Sequence, residues 1–184
     1  MTSRLLRLSV IAAVAAAITV PAPRAIAASA SELNRGARAA LDRLVATQPA
    51  AKRLAREAKA VLVFPKMVKA GFMFGGQIGE GVLLKRGKPA GYYSSVAASY
   101  GFQAGIQSFS YVLFFMTDDA LTRLDASQGF EVGVGPSLVI VDEGVARSLT
   151  TTTLASDVYA FIFGQQGLMA GMGLQGTKIT RIPK

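Results

Sequence analysis

The chain has 184 residues, a formal net charge of +9 at pH 7, and no Cys, His or Trp. Without His and Cys it lacks most nucleophile–base pairs, thiol chemistry and the commonest zinc ligands. We therefore expect a protein that is not an enzyme, with no catalytic residues, no metal site and no cofactor. Packing rather than disulfides must hold it together.

The first residues have the layout of a secretion signal. Two arginines precede an apolar stretch at residues 8–20, and Ala25-Ile26-Ala27 follows as a small-x-small cleavage pattern. The stretch is shorter than the about 20 residues that a membrane-spanning helix needs. We predict that residues 1–27 are a cleaved signal peptide, with an uncleaved anchor as the alternative. Residues 28–184 then form a single domain, periplasmic or secreted and peripheral to a membrane.

Charge is unevenly distributed along the predicted mature chain. Residues 28–90 carry 12 Lys and Arg against 4 Asp and Glu, whereas residues 91–184 carry 5 against 7. A basic segment of this kind indicates a polyanionic partner, either nucleic acid or an anionic membrane surface. Export favours the membrane, so we expect anionic lipid as the partner and no nucleic acid.

Two helices are predicted in the basic segment. Apolar residues recur at helical spacing from Ser31 to Gln48, and a second helix should begin near Pro49. The polar face of the second helix carries a basic stripe, and two more lysines follow. The candidate lipid-binding residues are Lys52, Arg53, Arg56, Lys59, Lys66 and Lys69. Each cation near an anionic bilayer contributes about 1 kcal/mol, but a solvated helix face without a ligand explains the pattern equally well.

Beyond Pro65 the Ala-rich helical texture changes to β segments punctuated by glycine. Counting by twos, Gly71, Gly75, Gly79 and Gly81 share one strand face. Glycine normally weakens a strand, so its repetition on one face indicates tight sheet curvature or a helix backbone lying close against the sheet.

Other local signals complete the predicted fold. Hairpin-like turns are marked at residues 85–89 and 142–144. A short helix should run from Thr117 or Asp118 to about Ala126, and the apolar run at residues 111–116 predicts a strand buried on both faces. The predicted class is α+β: a strongly curved, Gly-rich antiparallel sheet or half-barrel with two N-terminal helices and one short helix between strands.

Few residues remain that could carry chemistry. The adjacent acidic pairs are Asp118-Asp119 and Asp142-Glu143, for which helix capping and turn solvation fit better than a metal or acid–base role. The tyrosines lie away from the basic helices, so we expect them to pack in or at the edge of the sheet rather than to stack on bases. They are Tyr92, Tyr93, Tyr100, Tyr111 and Tyr159.

Several β motifs together resemble the SYLF domain family. Its opening signature resembles residues 64–83, from Phe64-Pro65-Lys66 to Gly81-Val82-Leu83. Residues 99–105, 132–137 and 157–161 continue the resemblance in order, and residues 167–180 resemble the exported bacterial branch in particular.

The resemblance implies a module that binds membrane lipid. Eukaryotic relatives bind phosphoinositides with help from an N-terminal amphipathic helix, to which residues 35–59 would correspond, and some bind actin filaments. This chain has Pro89-Ala90-Gly91 where eukaryotic members place a Trp-containing segment, so headgroup specificity does not carry over. An exported bacterial protein would meet no actin, and phosphatidylglycerol or cardiolipin is the expected ligand class.

Three functional classes stay open at this point. The first is a lipid-binding module, the second is a protein-binding or structural envelope domain, and the third is a small outer-membrane β-barrel. Basic helices and the unalternating run at residues 111–116 argue against the third. The sequence leaves the oligomeric state open.

Overall fold

The computed structural model describes residues 28–126, 130–131, 138–141, 156–167 and 177–184. Within these residues the protein has three helices and six strands. The helices are α1 (Ala30–Thr47), α2 (Pro49–Glu57) and α3 (Asp118–Asp125). The strands are β1 (Ala60–Lys85), β2 (Lys88–Phe115), β3 (Phe130–Glu131), β4 (Leu138–Ile140), β5 (Val158–Gly167) and β6 (Lys178–Ile182). The α+β class with a curved, open sheet is confirmed.

Helix α1 starts one residue before the predicted position and is capped by Ser29. The Ser29 hydroxyl accepts from the Glu32 backbone N–H, and the Glu32 carboxylate accepts from the Ser29 N–H in return, which forms a capping box. The Ser29 hydroxyl also donates to the Glu32 carboxylate at 2.7 Å, and this bond together with the one from the Ser29 N–H lowers the pKa of Glu32. The apolar stripe of α1 is buried and comprises Leu33, Ala37, Ala40 and Leu44.

Strands β1 and β2 form one long antiparallel hairpin. Their turn is made by Arg86 (φ 50°) and Gly87 (φ 73°), the positive-φ pair of a type I′ turn, where the sequence predicts a turn. Strand β1 does not start at the predicted boundary, because it runs through Pro65. A shift of pairing between Phe64 and Met67 forms a bulge there, which accommodates a residue that has no N–H to donate.

Strand β2 is the centre of the sheet because it is long enough to pair with three strands. Strand β1 lies along one edge, while β5 pairs with residues 107–115 and β6 with residues 92–96. Strand β3 extends the sheet beyond β6. Strand β4 pairs parallel to β5, so the prediction of a wholly antiparallel sheet is wrong at this one pair.

Two glycines on the inner face, Gly79 and Gly81, allow the second half of β1 to pack closely against its own beginning. A Cβ on Gly81 would lie 2.8 Å from the Val63 carbonyl oxygen and collide with the Phe64 ring, and one on Gly79 would collide with Met67. The predicted curvature is therefore present, and the close neighbour of these glycines is the beginning of the same strand rather than a helix backbone. The close helix contact occurs elsewhere, since a Cβ on Gly36 of α1 would lie 3.3 Å from Pro65.

Two apolar cores lie on the two faces of the sheet. The outer core joins α1 and α2 to outward residues of both ends of β1, such as Val63 and Val82. The inner core joins α3 to inward residues including Phe64, Leu83 and Tyr111. Residues 111–115 alternate between the two cores and are all buried, which confirms the prediction for these five; Met116, the last residue of the predicted run, is half-buried and lies beyond the end of β2.

Helix α3 has the predicted place and length. Thr117 caps it by accepting from the Ala120 N–H at 3.3 Å, and its apolar side contributes Leu121 and Leu124 to the inner core. Several predictions lie outside the described residues. These are the signal peptide, the motif at residues 132–137, the turn at residues 142–144 and most of the motif at residues 167–180.

Candidate functional site

Helix α2 presents two exposed cations on adjacent turns. Its apolar side, Ala50, Ala51 and Leu54, packs into the outer core, so the opposite side faces solvent. Lys52 and Arg56 are exposed there, and residues four apart in a helix are neighbours on its surface. Neither side chain forms an ion pair with the part of the chain that the structure describes.

The basic stripe predicted for α2 extends less far than expected. Arg53 is only half-exposed and has an interaction of its own, and Lys59 lies beyond the end of the helix. The backbone leaves helical geometry at Ala58 (ψ 135°), after which the Lys59 N–H donates to the Phe115 carbonyl at 2.8 Å. The Lys59 ammonium then lies 3.7 Å from the Asp118 carboxylate.

The two lysines of β1 have opposite environments. Lys66 is exposed at the bulge, without an ion pair to the described residues, whereas Lys69 is only 3% exposed and lies opposite Gln107 on the inner side of the sheet. The six candidate residues therefore occupy different places: three lie on α2, one in the linker to β1, one at the bulge and one inside.

The outer face of the sheet has an exposed apolar region that the sequence analysis missed. Ile78 is 59% exposed and lies opposite Val96, which is 49% exposed and lies opposite Lys178 on β6. Directly paired residues project from the same face. We call Ile78, Val96 and Lys178 the outer row. The alternation of side chains along β1 could have indicated this region. Gly79 and Gly81 face inward, so Ile78 must face outward.

The inner side of the sheet contains buried polar groups. Gln77 donates to Thr177 at 3.5 Å, while Ser95 Oγ, Gln107 Oε1 and the Tyr111 hydroxyl have no hydrogen-bond partner among the described residues. Tyr111 stacks on Phe64 with ring centroids 5.9 Å apart, and its burial raises its pKa. No acidic residue of the described chain belongs to this buried set.

Comparison with known families identifies the sheet region. Residues 96–183 match the family model Ysc84, described as Las17-binding protein actin regulator. Over this segment, 88 of the 184 residues, the chain is similar to the SYLF domain family. The matched segment begins in β2 at Val96 and ends just after β6, so it contains two residues of the outer row. No curated protein matches the chain. Membership of the exported bacterial branch stays a prediction.

The three acidic residues of α3 have structural partners. Asp118 faces Lys59, and Asp119 accepts from Arg123 at 3.0 Å one turn further along α3. Asp125 accepts from the Tyr93 hydroxyl, and burial together with this hydrogen bond raises the Tyr93 pKa. In the described ranges, no three acidic residues lie close enough to hold a metal ion. None of the described helices is long and apolar enough to cross a bilayer.

The tyrosines occupy the positions that the sequence predicts, as far as their side chains are described. Tyr93, Tyr111 and Tyr159 are buried within the sheet, and Tyr92 is half-buried, where its hydroxyl accepts from the Asn34 side chain at 3.1 Å. The side chain of Tyr100 lies outside the described set.

Proposed function

We propose that the protein is a non-enzymatic lipid-binding module of the bacterial envelope, which binds anionic phospholipid reversibly. The observation that carries the proposal is the exposed pair Lys52 and Arg56 on α2, a helix whose opposite side is buried in the outer core. Because the helix is already folded against the outer core, only the Lys and Arg side chains have to be ordered when a ligand binds. Lys66 adds a third exposed cation.

The strength expected of this site suits reversible attachment. At about 1 kcal/mol for each cation near an anionic surface, Lys52 and Arg56 together strengthen binding about 30-fold. Lys59 and Lys69 contribute less in this proposal, because the first faces Asp118 and the second is buried. Screening by salt should weaken the attraction.

The lipid class in the proposal follows from export. Phosphatidylglycerol and cardiolipin are the anionic lipids proposed, and neither nucleic acid nor actin is a partner. N-terminal sequencing of the protein from expressing cells tests this compartment directly. A mature terminus at Ala28 supports export, and an intact Met1 removes the compartment argument.

The decisive experiment compares two variants that lose the same charge from different helices. Lys52→Gln with Arg56→Gln removes two cations from α2, and Arg38→Gln with Arg43→Gln removes two exposed cations from α1. Sedimentation with phosphatidylglycerol vesicles should show an affinity about 30-fold lower for the α2 variant and a clearly smaller loss for the α1 variant. Circular dichroism checks that both variants are folded.

Three results would contradict the proposal. If both variants lose affinity equally, net charge rather than α2 governs binding. If neither loses affinity, the cations of α2 form only a solvated helix face. If wild-type protein binds neither phosphatidylglycerol nor cardiolipin vesicles, the lipid-binding function itself is wrong.

A protein-binding function is the second candidate, because the matching family model is described by its binding to Las17. Under this alternative the partner would be an envelope protein, bound with an affinity that is indifferent to lipid. A pull-down from envelope extract, repeated with added phosphatidylglycerol vesicles, separates the two. A single partner retained at constant yield with vesicles present favours the alternative.

A further inference from the structure

The outer row lies where the helices stop covering the sheet. Four residues nearer the hairpin turn, Val82 and Tyr92 face α1, and Asn34 of that helix donates to the Tyr92 hydroxyl. The next pair, Glu80 and Ser94, is half-buried at the margin. At Ile78 and Val96 the outer face is open to solvent.

Large aliphatic side chains are unusual on the solvent face of an antiparallel sheet, which is normally polar. Here two of them lie side by side, and smaller residues surround them: Gly76 and Ala98, the next pair on the same face, are also exposed. Adjoining exposed aliphatic residues form a small apolar patch, which a partner surface could cover.

The charges around the outer row indicate which partner fits. Of the five Lys and Arg in the hairpin from Ala60 to Phe115, one is buried on the inner side and three lie at the hairpin turn, and its one carboxylate, Glu80, accepts from Lys184 at 2.9 Å. Lys178 is the cross-strand neighbour of Val96, and on its other side it pairs with Glu131 of β3. Lys66 lies near the other end of the row, since its carbonyl oxygen is 2.8 Å from the position a Cβ would take on Gly79.

We propose that the outer row is a second membrane contact, in which Ile78 and Val96 enter the interface of an anionic bilayer while Lys66 and Lys178 face its headgroups. The inference rests on the proposed lipid-binding function and adds an apolar anchor that the cations of α2 do not provide. Apolar side chains flanked by cations match a surface that is anionic at its headgroups and apolar beneath them.

Fluorescence can test insertion directly because the chain has no Trp. Ile78→Trp places a single indole in the outer row, and Thr122→Trp places one on the exposed side of α3 as a control. The protein is purified as expressing cells process it and mixed with phosphatidylglycerol vesicles. We expect a blue shift and quenching by brominated acyl chains for the indole at position 78, and neither change at position 122.

An affinity measurement supports the fluorescence result. Ile78→Thr with Val96→Thr keeps two β-branched residues in the strands, so the sheet should be retained, but it removes apolar contact. We expect binding to phosphatidylglycerol vesicles to weaken at least about tenfold. Changing Thr122 to Ser, on the far side of the sheet, should leave affinity unchanged.

The outcomes separate the inference from the proposed function. If wild-type protein binds the vesicles but the indole at position 78 stays in water, the inference is overturned while the lipid-binding function stands. If wild-type protein binds no anionic vesicle, both fail together. If the indole shifts without lipid and in proportion to protein concentration, the outer row joins two copies of the chain, and the inference is again overturned.

Discussion

At the scale of single residues, the glycines of β1 are not equivalent. Gly79 and Gly81 face inward, where the beginning of the same strand leaves no room for a side chain. Gly76 faces outward, and a Cβ there would lie 3.5 Å from the nearest atom, the Ala97 carbonyl oxygen. The first two are required by packing, and the third is not.

This difference gives a matched pair of substitutions. Gly81→Ala should lower the free energy of unfolding by about 1–3 kcal/mol, because the methyl group would press on the Phe64 ring and the Val63 carbonyl. Gly76→Ala should change it by no more than about 0.5 kcal/mol, or raise it, because it restricts the unfolded chain without a clash. Urea denaturation measures both. Equal effects would mean that β1 does not approach itself as described.

The sequence predicted the shared face of the glycines but not its cause. A pattern of alternate residues reports only local periodicity, whereas Val63 and Gly81 meet through the bending of a whole strand. Lys66 and Lys69 show the same limit. Plain alternation from the inward Phe64 would turn Lys66 in and Lys69 out, and the bulge at Pro65 reverses both.

At the scale of elements, the starts of the three helices were predicted within one residue because capping and proline signals are local. The end of α2 was not predicted. Its Ala-rich pattern continues beyond Glu57, but the pairing of β1 with β2 draws the chain out of the helix, beginning with the Lys59 N–H. Three of the four cations predicted for the basic stripe therefore lie on α2, and Lys59 does not.

The seating of α1 on the sheet depends on Gly36, which lies against Pro65. Gly36→Leu should lower the free energy of unfolding by about 1–3 kcal/mol, since the side chain must push the helix away from the bulge, and this outweighs the roughly 1 kcal/mol that leaving glycine adds to helix propensity. Ala39→Leu, at an exposed position of the same helix, is the control and should have little effect. Thermal unfolding followed by circular dichroism compares them, and a more stable Gly36→Leu variant would contradict this packing.

At the scale of the whole molecule, one sheet separates two cores. The two regions proposed to meet lipid, the exposed cations of α2 and the outer row, both lie on the side of the sheet that carries the outer core. Class, curvature and the doubly buried run at residues 111–115 were predictable because composition and periodicity determine them. The parallel pairing of β4 with β5 was not, because no local pattern states which distant strands become neighbours. The outer row could not be predicted for the same reason, because its three residues become neighbours only through the pairing of β1, β2 and β6.

The contact between Lys184 and Ala28 determines whether the chain could be circularly permuted. The Lys184 ammonium donates to the Ala28 carbonyl oxygen at 2.8 Å and also holds Glu80, so the two ends of the described chain lie side by side. Such neighbours can be joined by a short linker and new ends opened at an exposed turn. A circular permutant of residues 28–184 that begins at Gly87 and ends at Arg86 should fold with the wild-type circular dichroism spectrum. A permutant opened between Leu62 and Val63, where the chain contributes to both cores, should not fold. If it folds, an unbroken β1 is not needed to form the two cores.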